Sequence, residues 1–548
     1  MRWVTLTLLA ASGATALAVK DQTTTGVVPT STTEPDWFQT RPQSYEGSCH
    51  RIGVTATGSA PMLAETNPVY SGQKTFIAND PLQTSQPIQG SKGRNIFHLM
   101  GNLSPYFVPE EGFGVDEYPL PKGSNISQVH LIHRHGSRYP SDSETIGQWA
   151  QSLANATATF TGALSFLNNY TWNQGINILV PKGRQELFES GVSHFYNYGA
   201  LYNTSSKLIV RSTTSDRALK SAENFLAGFF GLEWRNNANI LPLISGSGFN
   251  SSLTGMSICK NAAQVFSSLE NDAMKEWQTI YLKHRTHTLQ KHTGTYNWTV
   301  TDTANAQTLC AYETVSFGYS PFCSLFTYAE WQGYSYASSI MSSSLMGFGS
   351  PISRASGIAW VQEFLARVNG HLLDIPAGAS SANLTLDTNP VTFPLDQSLF
   401  FDFGHDASIM AALSAFGITQ FAQHLPATGP PRNQQFHADR VTPFAGRLNI
   451  EIIDAPRKVR ARRSRKGGDE YIPRSGRASY MHFMLNQRTV PLHASFEECE
   501  YRDDGWCELE TFLKVQERSL EKARFEYSCE GDWDMGAYGG VTDGVPPQ

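Results

Sequence analysis

At 548 residues the chain exceeds the roughly 250 to 300 that one hydrophobic core supports, so a single small domain is excluded and two or more folding units are expected. Charged residues make up 16% of it, against roughly 25% in an average soluble protein. The formal net charge of −6 offers no general attraction to nucleic acid or to an anionic membrane, so any anion site has to be built locally.

In chain order, Arg2 precedes an apolar run from Trp3 to Ala11, and Ala16-Leu17-Ala18 supplies a small-x-small cleavage pattern. The run is far shorter than the roughly 20 residues needed to span a bilayer. Residues 1–18 therefore read as a signal peptide, with secretion as the destination. No later segment reads as a membrane span, and the C-terminus carries no lipid-anchor or retention signal. N-glycosylation sequons at Asn102, Asn125, Asn155, Asn169, Asn203, Asn250, Asn297 and Asn383 agree with that route. Seven cysteines in an oxidising compartment should mostly pair. Cys310 with Cys323 and Cys499 with Cys507 close short loops; of Cys49, Cys259 and Cys529, the favoured pair is Cys259 with Cys529, leaving one thiol.

Residues 19–95, rich in Thr, Ser, Gln, Pro and Gly with little periodicity, read as an extended arm. A compact apolar strand follows at Ile126–His133 and runs into Arg134-His135-Gly136-Ser137-Arg138-Tyr139-Pro140. A second strand, Lys207–Val210, runs into Arg211 and then into a helical pattern from Ala218 to Phe230. Residues 218–350 read as a mostly helical insertion. A third strand, Ser398–Phe403, runs into Gly404-His405-Asp406 and a helix carrying Ile409, Met410, Leu413 and Phe416. Leu448–Ile453 and Tyr480–Leu485 read as a β pair flanking a basic run, Arg457–Lys466, taken as a solvated loop whose Arg462-Arg463 pair is a possible processing site. The α/β catalytic unit is thus expected at 96–217 and 351–548.

Open α/β sheets bind ligands outside the carboxyl ends of their strands, and here three such ends carry Arg or His. Guanidinium groups grip phosphate with a planar fork that keeps its charge, which suits Arg134, Arg138 and Arg211. An imidazole can attack phosphorus directly, making His135 the candidate nucleophile. A leaving alkoxide needs a proton, for which Asp406 is the candidate donor, with His405, expected to be protonated, as a fourth phosphate ligand. Arg217 competes with Arg211 for the third-cation role, but it is as readily a partner of Asp216 or Glu223. His130, His133 and His135 suggest a metal only superficially, because His130 and His133 point to opposite faces of a strand. Asp402 reads as a buried hydrogen-bond acceptor, and Glu144 as a solvated helix residue.

Arg134-His135-Gly136-x-Arg138-x-Pro140 together with His405-Asp406 resembles the signature of the histidine acid phosphatases, in their fungal acid phosphatase and phytase branch. Val210-Arg211-Ser212 with Ser215-Asp216-Arg217, Ser320–Thr327 with Glu330-Trp331, and Arg488–His493 extend the resemblance over roughly His98 to Trp533. It implies an α/β fold with a phosphoglycerate-mutase-like sheet flanked by helices and a second, mostly helical inserted domain. It also implies His135 as nucleophile, Arg134, Arg138, Arg211 and His405 on phosphate, Asp406 as proton donor, and neither cofactor nor metal. Cysteines the phytases would place near Ser124 and Ala455 are absent. The expected activity is secreted acid phosphatase on phosphomonoesters, phytate included or not. The alternatives are a catalytically silent secreted glycoprotein and a metal-dependent phosphohydrolase built on His405-Asp406. The acidic stretch Ser141-Asp142-Ser143-Glu144-Thr145 tilts the reading away from phytate, while Lys122, Lys207, Lys220 and Lys260, if folded towards the pocket, leave phytate open.

Overall fold

The computed structural model describes residues 88–547 apart from 270–271, 466–467 and 469. The expectations for the signal peptide, for most of the N-terminal arm and for Cys49 lie outside the described residues.

Eight strands form one mixed sheet: β1 (Asn125–Arg134), β2 (Leu208–Thr213), β3 (Ala238–Leu243), β4 (Leu399–Gly404), β5 (Arg447–Ala455), β6 (Ala478–Leu485), β7 (Arg488–Val490) and β8 (Cys507–Glu508). The order is β3-β2-β4-β1-β5-β6-β7, with β8 also on β6. β1 to β4 run parallel, and β5 turns antiparallel against β1. The central strands are apolar on both faces because helices cover both. Val129, Leu131, Val210, Phe401 and Phe403 pack with Leu187 and Phe225 of α1 (Pro181–Tyr198) and α2 (Asp216–Phe230). On the other face Ile132, Ile450, Ile452 and Phe483 pack with residues of α5 (Ser353–Asn369) and α6 (Asp406–Phe416).

A second core surrounds α3 (Val300–Phe317) and α4 (Tyr328–Met346), where Leu309, Tyr312, Phe322 and Trp331 are buried. Thr299 and Thr327 open these helices with capping boxes closed by Asp302 and Glu330. The helical insertion is therefore present, but its boundary differs from the expected residue 218. Helix α2 and strand β3 belong to the main sheet, since β3 pairs along its whole length with β2 and Phe225 and Phe229 fill the sheet's core. The 3.6-residue periodicity of α2 reports a helix without saying which body it packs on. Conversely, Ile96–Leu103 and Ile146–Leu167 contribute to the second core, although they precede it by more than a hundred residues.

Disulfides join Cys259 to Cys529, Cys310 to Cys323 and Cys499 to Cys507. The basic run is largely exposed, as expected of a solvated loop, with Arg457, Lys458, Arg462 and Arg465 at the surface, but it is pinned at two points. Its residue Arg463 is buried, bonded to Asp504 at 3.1 Å and to the Pro119 carbonyl at 2.8 Å, and Val459 bridges to Tyr471. A protease reading Arg462-Arg463 would have to extract a guanidinium from an ion pair, so the structure argues against cleavage there. Among the described residues no helix is long and apolar enough to cross a membrane.

Candidate active site

Parallel pairing of β1 with β4 sets Arg134 beside Gly404, and the next residues out of each strand are His135 and His405. The chain is laced there by His135 N to Gly404 O (3.0 Å), Arg134 N to Gly446 O (2.8 Å) and Ala445 N to His135 O (2.9 Å). Segments about 270 residues apart thus meet at the carboxyl end of the sheet. Gly136 is required by space, because a Cβ there would lie 2.3 Å from the carbonyl oxygen of Gly183 at the start of α1. Buried Glu186 of α1 holds the loop by accepting from Ser137 N (2.8 Å) and Ser137 Oγ (3.0 Å).

A cavity of about 410 Å³ opens at this point, lined by His135, Arg138, Arg217, His405 and Asp406 among others. A cavity of about 670 Å³ near His98 and His437 contains none of the motif residues. His135 is 2% exposed, and its ring lies 5.5 Å centroid to centroid from that of His405. Nδ1 of His135 stands 2.9 Å from the Gly136 carbonyl. A carbonyl only accepts, so Nδ1 carries the proton and Nε2 keeps its lone pair for the pocket. Burial, then the charges of Arg134, Arg138 and Arg217, hold the His135 pKa well below the usual histidine range, so the ring is neutral. A neutral imidazole with a fixed tautomer is what a nitrogen nucleophile requires.

Arg134 is 1% exposed, stacks over Phe444 at 4.7 Å, and donates to the carbonyls of Asn102 and Thr442. Its Nη2 lies 3.1 Å from Asp406 Oδ2. Burial alone would raise the Asp406 pKa; Arg134 and a 3.0 Å hydrogen bond from Asn102 Nδ2 outweigh it and hold the carboxyl at about 2. In the ligand-free protein His405 is pushed down to about 3 by burial and then by Arg217, so its ring is neutral there. The protonation expected from the sequence belongs to the phosphate complex, whose negative charge would raise the value again. Nε2 of His405 is 3.3 Å from Thr213 Oγ1. The Nε atoms of Arg134, Arg138 and Arg217 are buried without a hydrogen-bond partner among the described residues; Arg138 and Arg217 line the cavity, and Arg134 is paired to its Asp406.

Arg211 is not among them. It stands opposite Asp402 in the β2–β4 ladder, so both side chains leave the sheet on one face. Arg211 binds Asp402 at 2.6 Å and 2.8 Å and Glu363 at 2.7 Å, and is 2% exposed. Arg367 and Trp360 Nε1 complete the shell of Asp402 at 3.2 Å and 2.7 Å. The arginine that lines the cavity with Arg138 is Arg217, in the first turn of α2 beyond the strand end, its Nη1 3.4 Å from Asn177 Oδ1. Proximity to the strand end favoured Arg211; the alternation of side chains across β2 excludes it.

Two further residues escaped the sequence reading. Asn102 is not a surface sequon, since its amide faces Asp406 and Ser104 is fully buried. Glu144 is not merely solvated: it accepts from Arg138 at 2.9 Å and from the Tyr312 hydroxyl at 2.5 Å. His130 and His133 sit on opposite faces, against Phe364 and Phe225, and do not converge with His135. Among the described residues no group of three His, Cys, Asp or Glu side chains is placed to hold a metal ion.

The family model of the histidine phosphatase superfamily, branch 2, matches residues 125–472, which span both motifs. The chain belongs to that superfamily. Its similarity to Phytase A of Aspergillus fumigatus is 29% identity over 436 residues, covering 76% of this chain and 87% of that one. Phytase A of Aspergillus oryzae is 26% identical over 438 residues, covering 76% and 88%. Among solved structures, the phytase from D. castellii superposes with a TM-score of 0.60 at 21% identity over 82% of this chain and 89% of that one. The Bifidobacterium longum multiple inositol polyphosphate phosphatase, in complex with phosphate, gives 0.51 at 16% over 77% and 97%. At these identities the solved structures bear on the fold of this histidine phosphatase, and its chemistry has to be argued from its own residues.

Proposed function

We propose that this chain is a secreted acid phosphatase that hydrolyses small phosphomonoesters through a phosphohistidine intermediate. The observation that carries the reading is the neutral His135 ring, its Nδ1 tied to Gly136 and its Nε2 left for a cavity lined by Arg138 and Arg217, with Arg134 paired to its Asp406. The guanidinium groups and His405 bind the three non-bridging oxygens and offset charge in the transition state. Nε2 attacks phosphorus as the bond to the ester oxygen breaks, and Asp406, protonated in the substrate complex, gives that oxygen its proton. Water then attacks the phosphohistidine, Asp406 takes up the water's proton, and inorganic phosphate leaves with His135 neutral again. Every step uses groups of the chain itself, and no cofactor enters.

Secretion is supported by the N-terminal sequence, the three disulfides, and the exposed sequons at Asn125, Asn155, Asn169, Asn203, Asn250 and Asn297, which would carry N-glycans. The partners are small substrates, with no nucleic acid and no membrane. The phytases among its relatives put phytate among the substrates to test. The test is release of inorganic phosphate from an aryl phosphate and from phytate across acid pH with a chelator present. Chelator-insensitive release is expected. Loss of activity with chelator would favour a metal-dependent hydrolase, and no release from any ester would favour a silent relative.

A further inference from the structure

Resting on the phosphatase reading, we infer that the cavity selects a phosphomonoester whose organic part is uncharged and hydroxylated, a sugar or polyol monophosphate, and discriminates against polyphosphorylated rings. Its guanidinium groups, Arg138 and Arg217, share the lining with His135, which fits them to the reacting phosphate. Beyond Arg138, Arg217 and the histidines, the lining has no Lys or Arg among the described residues.

The four lysines named from the sequence do not line the cavity. Lys207 Nζ donates to the Arg235 carbonyl at 2.8 Å, and Lys220 pairs with Glu223 at 2.8 Å. Lys260 pairs with Glu530. Lys122 lies by Glu470 and Tyr471, with its backbone N 3.0 Å from Glu470 Oε2.

Two carboxylates are linked to these arginines outside the lining. Glu144 binds Arg138, and Asp142 accepts from Asn177, which in turn accepts from Arg217. A ring bearing several phosphates would set its spare dianions against these carboxylates with no cation to meet them, a cost that grows with each phosphate.

The rest of the wall has a different character. Ser245, Ser252 and Thr254 line it, and their hydroxyl oxygens are buried without hydrogen-bond partners among the described residues. Buried hydroxyls without partners are costly, and hydroxyl groups of a ligand would satisfy them. Between them stand Leu253, Met256 and Phe266, an apolar strip suited to the C–H face of a sugar ring. Hydroxyls beside an apolar strip match a sugar better than a plain aromatic group, which would leave the hydroxyls unsatisfied.

The test compares kcat/KM at low ionic strength for a hexose monophosphate, an aryl phosphate and phytate. The hexose phosphate is expected to exceed phytate by about tenfold or more. Ser257→Lys, at an exposed position of the lining, should raise kcat/KM for phytate about tenfold at low salt with little effect on the hexose phosphate, and added salt should erase the gain. Thr254→Val should lower the hexose phosphate rate about three- to tenfold, the worth of one hydrogen bond, and leave the aryl phosphate rate alone. Phytate hydrolysed as well as the hexose phosphate, or Thr254→Val acting equally on both monoesters, overturns the inference. Absence of turnover on all three substrates instead overturns the phosphatase reading beneath it.

Discussion

Arg134 Nη2 and Asp406 Oδ2 stand 3.1 Å apart at the base of the cavity, a guanidinium 1% exposed holding a carboxylate that is 17% exposed. This contact makes the proposed acid a strong one in the ligand-free enzyme, with a pKa of about 2. A bound phosphomonoester draws on the same guanidinium and brings negative charge of its own, and both effects raise the carboxyl's pKa.

The proton donor is therefore made by the substrate. The fall of kcat at rising pH, which reports the enzyme–substrate complex, should lie well above pH 2. Asp406→Asn should remove that fall and lower kcat on an alkyl phosphate by about 10²- to 10⁴-fold. On an aryl phosphate, whose leaving group needs little help from a proton, the loss in the phosphorylation step, read by rapid quench, should be much smaller. Equal losses in that step on the two esters would rule Asp406 out as the donor, whereas a loss in the later hydrolysis, common to both esters, reports its role with water.

Arg217 and Arg211 should separate cleanly. Arg217→Ala removes a cation from the cavity, so kcat/KM should fall with little change in Tm. Arg211→Ala leaves Asp402, Glu363 and Asp387 crowded and short of a counter-ion, so about 3–5 kcal/mol of stability should be lost. Thermal unfolding of both variants beside phosphatase kinetics decides the assignment. A stable, inactive Arg211→Ala would restore Arg211 to the site.

One carboxyl of the second core should add stability at acid pH, while the buried histidines with depressed pKa values, His135 and His405 among them, act in the opposite sense. Buried Glu313 accepts hydrogen bonds from Ser320 and Tyr170, and burial pushes its pKa up to about 7 from 4.5. A carboxyl whose folded pKa is raised binds its proton more tightly in the folded state. Its contribution is full below the unfolded value of 4.5 and is lost as pH rises to about 7, by roughly 3 kcal/mol. Glu313→Gln should flatten this part of the stability profile, which denaturant titrations at several pH values would show. An unchanged slope would place the effect elsewhere, for instance on Asp439, raised to about 6 by burial.

The sequon at Asn102 should carry no glycan. Its amide donates to Asp406 and its backbone carbonyl accepts from Arg134, so a sugar at Nδ2 would occupy the base of the cavity. Enzymatic deglycosylation in heavy-oxygen water, followed by peptide mapping, should label the exposed sequons and leave Asn102 unlabelled. Label at Asn102 in active enzyme would contradict its placement.

The strands were legible because both faces of a central sheet are covered, so β1, β2 and β4 appear as short apolar runs, each ending in Arg or His. The two catalytic motifs were legible for the same reason: their residue types sit where strands stop. Arg211 and Arg217 could not be ranked that way, because the choice turns on which face of β2 a side chain leaves, set by the pairing with Asp402. Asn102 was hidden behind a glycosylation pattern that is local, whereas its role depends on contacts 304 residues distant in the chain. The charge state of His405 depends on Arg217, Arg134 and Arg138, which converge only in three dimensions. Arg463 read as part of a basic loop until Asp504, 41 residues on, supplied its partner.

The nucleophile itself is tested most directly by trapping the covalent enzyme. Rapid mixing with an aryl phosphate, quenching in alkali, where phosphohistidine survives, and peptide mapping by mass spectrometry should place phosphate on His135. The label should be absent in His135→Ala, which should be folded and inactive. Phosphate found on another residue, or turnover retained by His135→Ala, would contradict the mechanism at its first step.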